Sequence, residues 1–241
     1  MSSHTSVSYE IADRLRREIL SGQYRRGERM PSERDLSARF EVSRGAVREA
    51  LSQLDQQGVI EIQPGGVRVK PLEEASLAIL GPLLALDAVP APELVDQFLE
   101  IFSILTSLTV KNAIAQANDE QMIQLQKMLV DITDKAEDFE QMQPSWHAML
   151  DYMAQIDTNL VAKLIGNDIK AQVVEQMLEL DIKPRLPAGA GRELVKTLAT
   201  ALMKRDGDLA ASAFEKHFDQ LRAAMQCALT GLHDGYRRKA V

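Results

Sequence analysis

The sequence has little of what most specialised chemistries require. Only one of its 241 residues is cysteine, Cys227, which excludes an intrachain disulfide and any Cys-rich zinc site. Aromatic residues make up 5% and histidines number four. No apolar stretch of signal type lies in residues 1–10, so a reducing cytoplasm is the expected location. The longest apolar runs, 77–86 and 101–110, are about half of the ~20 residues that cross a bilayer, so no membrane partner is expected. No Gly-rich phosphate loop follows a strand, and no nucleophile stands beside a base. An enzyme is therefore not expected. Basic charge is also short: 28 Lys+Arg against 35 Asp+Glu give a net charge of −7. Spread evenly, that charge would disfavour nucleic acid as a partner.

The charge is not spread evenly. Residues 1–70 hold 12 basic and 10 acidic residues, a net of +2, and residues 71–241 carry the remaining −9. Eleven of the twelve basic residues are arginine; Lys70 is the exception. The planar guanidinium fork matches phosphate and guanine bidentately, which an ammonium cannot do. A compositional preference for arginine would give the same count.

Residues 8–20 have helical periodicity, with Ile11, Leu15 and Ile19 on one face. Ser32 is placed to cap a second helix, with Asp35 completing a capping box and Leu36 and Phe40 buried. Ser43 caps a third, which runs to about Gln57 with Val47, Ala50, Leu51 and Leu54 inward and Gly58 at its end. The period then changes to two. Ile60 and Ile62 alternate with polar residues, Pro64-Gly65-Gly66 turns the chain, and Val67, Arg68 and Val69 follow. Three helices and a two-stranded wing make a winged helix-turn-helix, which presents the N-terminus of its third helix to the major groove. Arg44 and Arg48 are one turn apart there, Gly45 and Ala46 are small, Ser43 can reach phosphate, and Arg34 opens the preceding helix.

Pro31-Ser32-Glu33-Arg34-Asp35-Leu36, then Val42-Ser43-Arg44-Gly45-Ala46-Val47-Arg48-Glu49-Ala50-Leu51, then Leu54 and Gly58, resemble the signature of the GntR family of bacterial transcription regulators. The resemblance covers about residues 8–70. It implies that Arg34, Arg44 and Arg48 contact DNA, that the residues after Ser43-Arg44 read bases, and that Gly65 enters the minor groove. It also implies a homodimer on a pseudo-palindromic, double-stranded operator.

Residues 71–76 read as a linker, dividing a DNA-binding domain (1–70) from an effector-binding and dimerisation domain (77–241). Beyond the linker every periodic stretch is helical: about 76–87, 91–117, 119–140, 144–156, 159–182, 190–205 and 207–232, with 233–241 a fraying tail. The fold class is mainly α: the winged helix-turn-helix followed by an all-α antiparallel bundle of six or seven helices. This layout resembles the FadR subfamily.

Many domains of that subfamily carry one Asp and three His around a metal, beside an Arg that holds a carboxylate effector. His147, in Trp146-His147, and His217 resemble two of the ligands. Gln143 stands in the place of the Asp, Val195 in that of the third His, and Phe102 in that of the Arg. Two His without a carboxylate make a poor divalent site, so no metal or other cofactor is expected. A metal-assisted carboxylate sensor is the alternative. Eight of ten methionines lie beyond residue 76, among them Met149, Met153 and Met177, and methionine adapts to irregular apolar shapes. The pocket reads as a site for an apolar or acyl-bearing effector, as plain core, or as a site that has lost its ligand. Trp146 and Cys227 are expected in the core. The expected function is that of a dimeric repressor of a metabolic operon, released by a small metabolite. A helical-domain enzyme or a protein-interaction module is the reading from another class.

Overall fold

The computed structural model describes residues 6–135, 139–170, 182 and 184–239. They fold as two compact units that divide between Ala88 and Val89.

In the first unit, α1 (Val7–Leu20) begins at Ser6, whose hydroxyl accepts the Tyr9 N–H. It buries Ile11, Leu15 and Ile19 against Val47, Ala50, Leu51 and Leu54 of α3 (Arg44–Gln56). α2 (Glu33–Phe40) seals the core with Leu36 and ends at Glu41 in a left-handed conformation. Ser32 caps α2 as expected, its hydroxyl accepting the Asp35 N–H at 3.3 Å. The Asp35 carboxylate reaches back and accepts the Ser32 hydroxyl at 2.7 Å.

The wing pairs β1 (Ile60–Gln63) with β2 (Gly66–Val69), antiparallel, in the register Ile60↔Val69 to Gln63↔Gly66. The other edge of β2 is also occupied. Met30 N–H donates to the Val67 carbonyl and Val69 N–H to the Glu28 carbonyl, forming an Arg29↔Arg68 bridge.

The segment read as a linker is fastened to this unit. A 3₁₀ turn, Leu72–Glu74, brings the Glu74 carbonyl against Gly58, and Ser76 N–H donates to the Gln57 carbonyl. Ile79 joins the winged-helix core. By its contacts the first compact unit therefore runs on past residues 71–76. The helix expected over 76–87 is a 3₁₀ turn, Leu77–Ile79, followed by the five-residue α4 (Leu80–Leu84). Pro82 has no N–H to continue a helix entering from residue 78.

The second unit is helical throughout its described residues. The 25-residue α5 (Pro92–Gln116) packs along α10 (Gly207–Lys239) and against α7 (Phe139–Ile156). α6 (Asp119–Thr133) lies on α7 and α9 (Ala190–Lys204), and α8 (Leu160–Ile169) contacts α5. Asn118 and Gln121 complete a capping box on α6, and Asn159 caps α8. Gly207 sits where a Cβ would come within 2.7 Å of the Lys111 carbonyl, so glycine sets the closeness of α5 and α10.

Four boundaries differ from expectation, the first being that α6 ends at Thr133 where the sequence reading carried it to residue 140. α7 starts at Phe139 and holds Pro144 inside it, forgoing one helical bond, where the sequence reading made Pro144 the helix start. α10 continues to Lys239, through the segment expected to fray. The 159–182 helix ends its described part at Ile169, and residues 171–181, including Met177, lie outside the described residues. Length and composition also let α5 cross a bilayer, which the charge-free runs alone did not show. Serine and threonine interrupt those runs without making the helix polar.

Candidate nucleic-acid interface and effector pocket

Ser43 accepts the Ala46 N–H at 3.2 Å, so the cap is formed and the first turn of α3 is fixed. Ser43, Arg44 and Gly45 are exposed, and Ala46 is half-buried beside Val47, which is fully buried. The buried stripe of α3 thus turns its first residues outward. Arg34 and Arg48 are 77% and 72% exposed.

The three arginines differ in their surroundings. Arg48 forks onto Glu33, Nε to Oε1 at 3.1 Å and Nη2 to Oε2 at 2.8 Å. Those hydrogen bonds, and the charges of Arg48 and Arg44, hold the Glu33 carboxyl below the usual carboxylate range. Arg34 approaches Asp35 at 3.5 Å. Arg44 forms no ion pair or hydrogen bond among the described residues. The Glu33–Arg48 pair links the N-termini of α2 and α3, bringing Arg34, Arg44 and Arg48 to one end of the helix-turn-helix. Arg39 is different: it pairs bidentately with Glu18, donates to Tyr24 and stacks over Phe40, so it holds α1 to α2.

At the wing tip Gly65 is exposed, and an added Cβ would meet nothing within 4 Å. Gly66 has φ +120°, and its Cβ would lie 2.8 Å from the Arg29 Nε. Arg29 therefore rests over the wing glycine. The sequence reading missed it because residue 29 joins the sheet only through a single bridge.

In the helical unit the pocket residues divide. Phe102 stacks on Phe98 and meets Phe218 edge-on, both with ring centroids 5.6 Å apart. Trp146 is buried as expected and stacks on Phe214 at 5.1 Å. Val195 and His217 are each 5% exposed. The His217 ring lies 6.0 Å from both Trp146 and Phe218, and its Nδ1 has no hydrogen-bond partner. Burial pushes its pKa down to about 4. His217 also borders a cavity of about 260 Å³ between α9 and α10, with Glu193, Thr197 and Lys216 at its polar edge. Gln143 and His147 are one turn apart on α7 and half-buried. Burial, partly opposed by the Asp151 charge, lowers the His147 pKa.

The donor set does not fit a divalent metal. Val195 supplies no ligand atom and Gln143 only a neutral one, and no three His, Cys, Asp or Glu converge among the described residues. Met122, Met142, Met149 and Met153 are core, whereas Met203 is 71% exposed. Cys227 is exposed rather than core, on a groove of about 900 Å³ along α10. It lies two residues from both Met225 and Leu229, which carry the buried stripe, and so turns to the opposite side of the helix.

Comparison with known proteins agrees with this architecture. Residues 8–69 match the family described as bacterial regulatory proteins, gntR family, and residues 70–180 match the FadR C-terminal domain. The HTH-type transcriptional repressor NanR of Cronobacter sakazakii is 28% identical over 236 residues, covering 91% of this chain and 85% of that protein. NanR of Salmonella newport is 27% identical, covering 90% and 84%. Among solved structures, the Listeria monocytogenes protein described as Lar, which controls expression of the agr system and mediates virulence, has a TM-score of 0.54. It is 16% identical, covering 93% of this chain and 98% of its own. With a reading head and a helical body matched in sequence order, the chain belongs to the gntR family of bacterial regulatory proteins with a FadR-type C-terminal domain, and is a DNA-binding transcription regulator, not an enzyme.

Proposed function

We propose that the protein is a repressor that binds a pseudo-palindromic operator as a homodimer and is released by a small apolar or acyl-bearing metabolite. The repressor reading follows the NanR relatives. The observation that carries it is the capped, outward-turned start of α3, where Arg44 stands exposed and unpaired among the described residues. In this reading Ser43 and Arg34 hold phosphates, Arg44 and Arg48 read base edges over Gly45 and Ala46, and Gly65 lets the wing into the minor groove. A DNA partner supports a cytoplasmic location.

The dimer reading is supported by α5. Ile101, Ile104 and Leu108 are 54%, 59% and 40% exposed on one face, and no charge interrupts the helix from 101 to 110. A second copy would cover that face.

The effector reading is supported by Phe102, Val195 and His217, which pack in or against the same apolar core, and by the cavity that His217 borders; Gln143 and His147 are half-buried on α7. A neutral buried histidine and phenyl rings suit a ligand with an apolar body and one hydrogen-bonding group. Effector binding would change the share of dimers whose two heads can span both half-sites.

The decisive experiment selects a duplex from a randomised pool with the parent protein and measures Arg44→Ala against it. The variant should lose ~1–3 kcal/mol of base discrimination. Equal affinity and specificity would overturn the groove assignment. Native mass spectrometry with metal analysis tests the pocket. A co-purified acyl compound supports the reading, and a stoichiometric divalent ion refutes it.

A further inference from the structure

We propose that Arg29 and Arg68 form a phosphate-binding pair on the wing, which takes the sugar–phosphate backbone of duplex DNA beside the groove entered by α3. The inference rests on the DNA-binding reading above and adds a site to it.

The pair lies on adjacent strands. Met30 N–H donates to the Val67 carbonyl and Val69 N–H to the Glu28 carbonyl, so Arg29 and Arg68 face each other in a non-hydrogen-bonded position of the ladder. Such positions bring Cβ atoms to about 4.5–5.5 Å, and from there the two heads diverge, Arg29 over Gly66 and Arg68 toward Gly27. Alternation puts Arg29, Gly66, Arg68, Glu61 and Gln63 on one face, while Met30, Ile60 and Val69 are buried on the other.

The fold had a means of neutralising this face and does not use it. Glu61 is the register partner of Arg68 on β1, yet its carboxylate accepts from Gln63 Nε2 at 2.6 Å. Arg68 instead donates through Nη1 to the Gly27 carbonyl at 2.9 Å. Arg29 lies over Gly66, where any side chain would displace it. Neither arginine has a carboxylate partner among the described residues, and both are exposed. Arg25 and Arg26, also exposed, extend the cationic surface along the adjoining loop.

Two arginines rooted opposite each other, with one guanidinium over Gly66 and the other on the Gly27 carbonyl, spread positive charge along the wing and suit an extended polyanion better than a single carboxylate. The bare Gly65-Gly66 turn beside them lets such a backbone come close. Neither arginine need touch a base edge, so the pair should add affinity without adding sequence preference.

The test measures binding of the full chain to two duplexes over a salt series: one selected from a randomised pool by the parent protein, and a mixed-sequence duplex of equal length. Arg29→Gln should weaken binding to both by the same factor. It should also make the slope of log affinity against log salt shallower by about 0.9, and the Arg29→Gln/Arg68→Gln double variant by about twice that. Arg29→Lys should restore the slope. Because Arg29 is exposed and has no carboxylate partner among the described residues, Arg29→Gln should melt close to the parent. An unchanged slope, a loss confined to the selected duplex, or a lowered melting temperature with unchanged binding would each overturn the pair. Arg44→Ala is measured alongside. If it loses discrimination while Arg29→Gln changes nothing, the wing pair alone fails; if Arg44→Ala keeps discrimination, the groove reading fails independently.

Discussion

At the scale of single residues, Glu33 and His217 hold the two least expected electrostatic arrangements. Glu33 occupies the Arg48 fork before any DNA arrives, and the pair is exposed on both sides. An exposed pair contributes little to stability, but it competes with phosphate or guanine for the same donors. Glu33→Gln should therefore bind a mixed-sequence duplex several-fold more tightly while melting close to the parent, as a binding isotherm and a thermal melt would show. Weaker binding would mean that Glu33 positions Arg48 for DNA and does not compete with it. The arginines were legible in the sequence because helical spacing sets their face. Their pairing was not, because Glu33 and Arg48 lie on different helices.

His217 makes a prediction about pH. Its folded pKa of about 4 lies below the ordinary 6.5, so the unfolded chain binds the extra proton between those values. Stability from the neutral ring is fully present above pH 6.5 and is lost as pH falls toward 4, a loss of roughly 3 kcal/mol. His217→Gln should flatten this part of the pH–stability curve in denaturant titrations. An unchanged curve would mean that the ring is solvated in the folded state. Sequence singled out His217 through a family resemblance; its burial among Trp146 and Phe218 came only from packing.

At the scale of elements, periodicity identified the long helices and the wing, and punctuation set some of their ends wrongly. Pro144 and the 71–76 segment were read by local residue type, whereas tertiary contacts decided both. Gly58 shows why. It has φ +73°, and an added Cβ would lie 2.9 Å from the Glu74 carbonyl. The glycine thus ends α3 and lets the next segment cross it, and no pattern within residues 71–76 reveals that crossing. Gly58→Ala combines left-handed strain of about 1–3 kcal/mol with a backbone clash. It should lower the urea midpoint and expose the 72–76 segment to proteolysis. A midpoint equal to the parent's would show that the crossing can shift at little cost.

At the scale of the whole molecule, the net charge of −7 misleads, because a mildly basic head and a strongly acidic body are averaged in it. A head with a net of +2 holds DNA weakly by charge alone, so tight operator binding needs two heads joined. The joining surface proposed on α5 has a specific weakness: Ile104 is 59% exposed at the middle of a charge-free stretch, with Ile101 and Leu108 one turn to either side. A carboxylate buried there against its symmetry mate would be unpaired and desolvated twice. Ile104→Glu should therefore sediment as a monomer where the parent is a dimer. Its helical content should be unchanged, since residue 104 contributes nothing to the buried core of its own chain. Operator affinity should fall at least a hundredfold as the second head is lost, while weak binding to a mixed-sequence duplex persists. A dimeric Ile104→Glu would move the interface off α5. A monomer with undiminished operator affinity would show that one head suffices, and the pseudo-palindromic reading would fail with it.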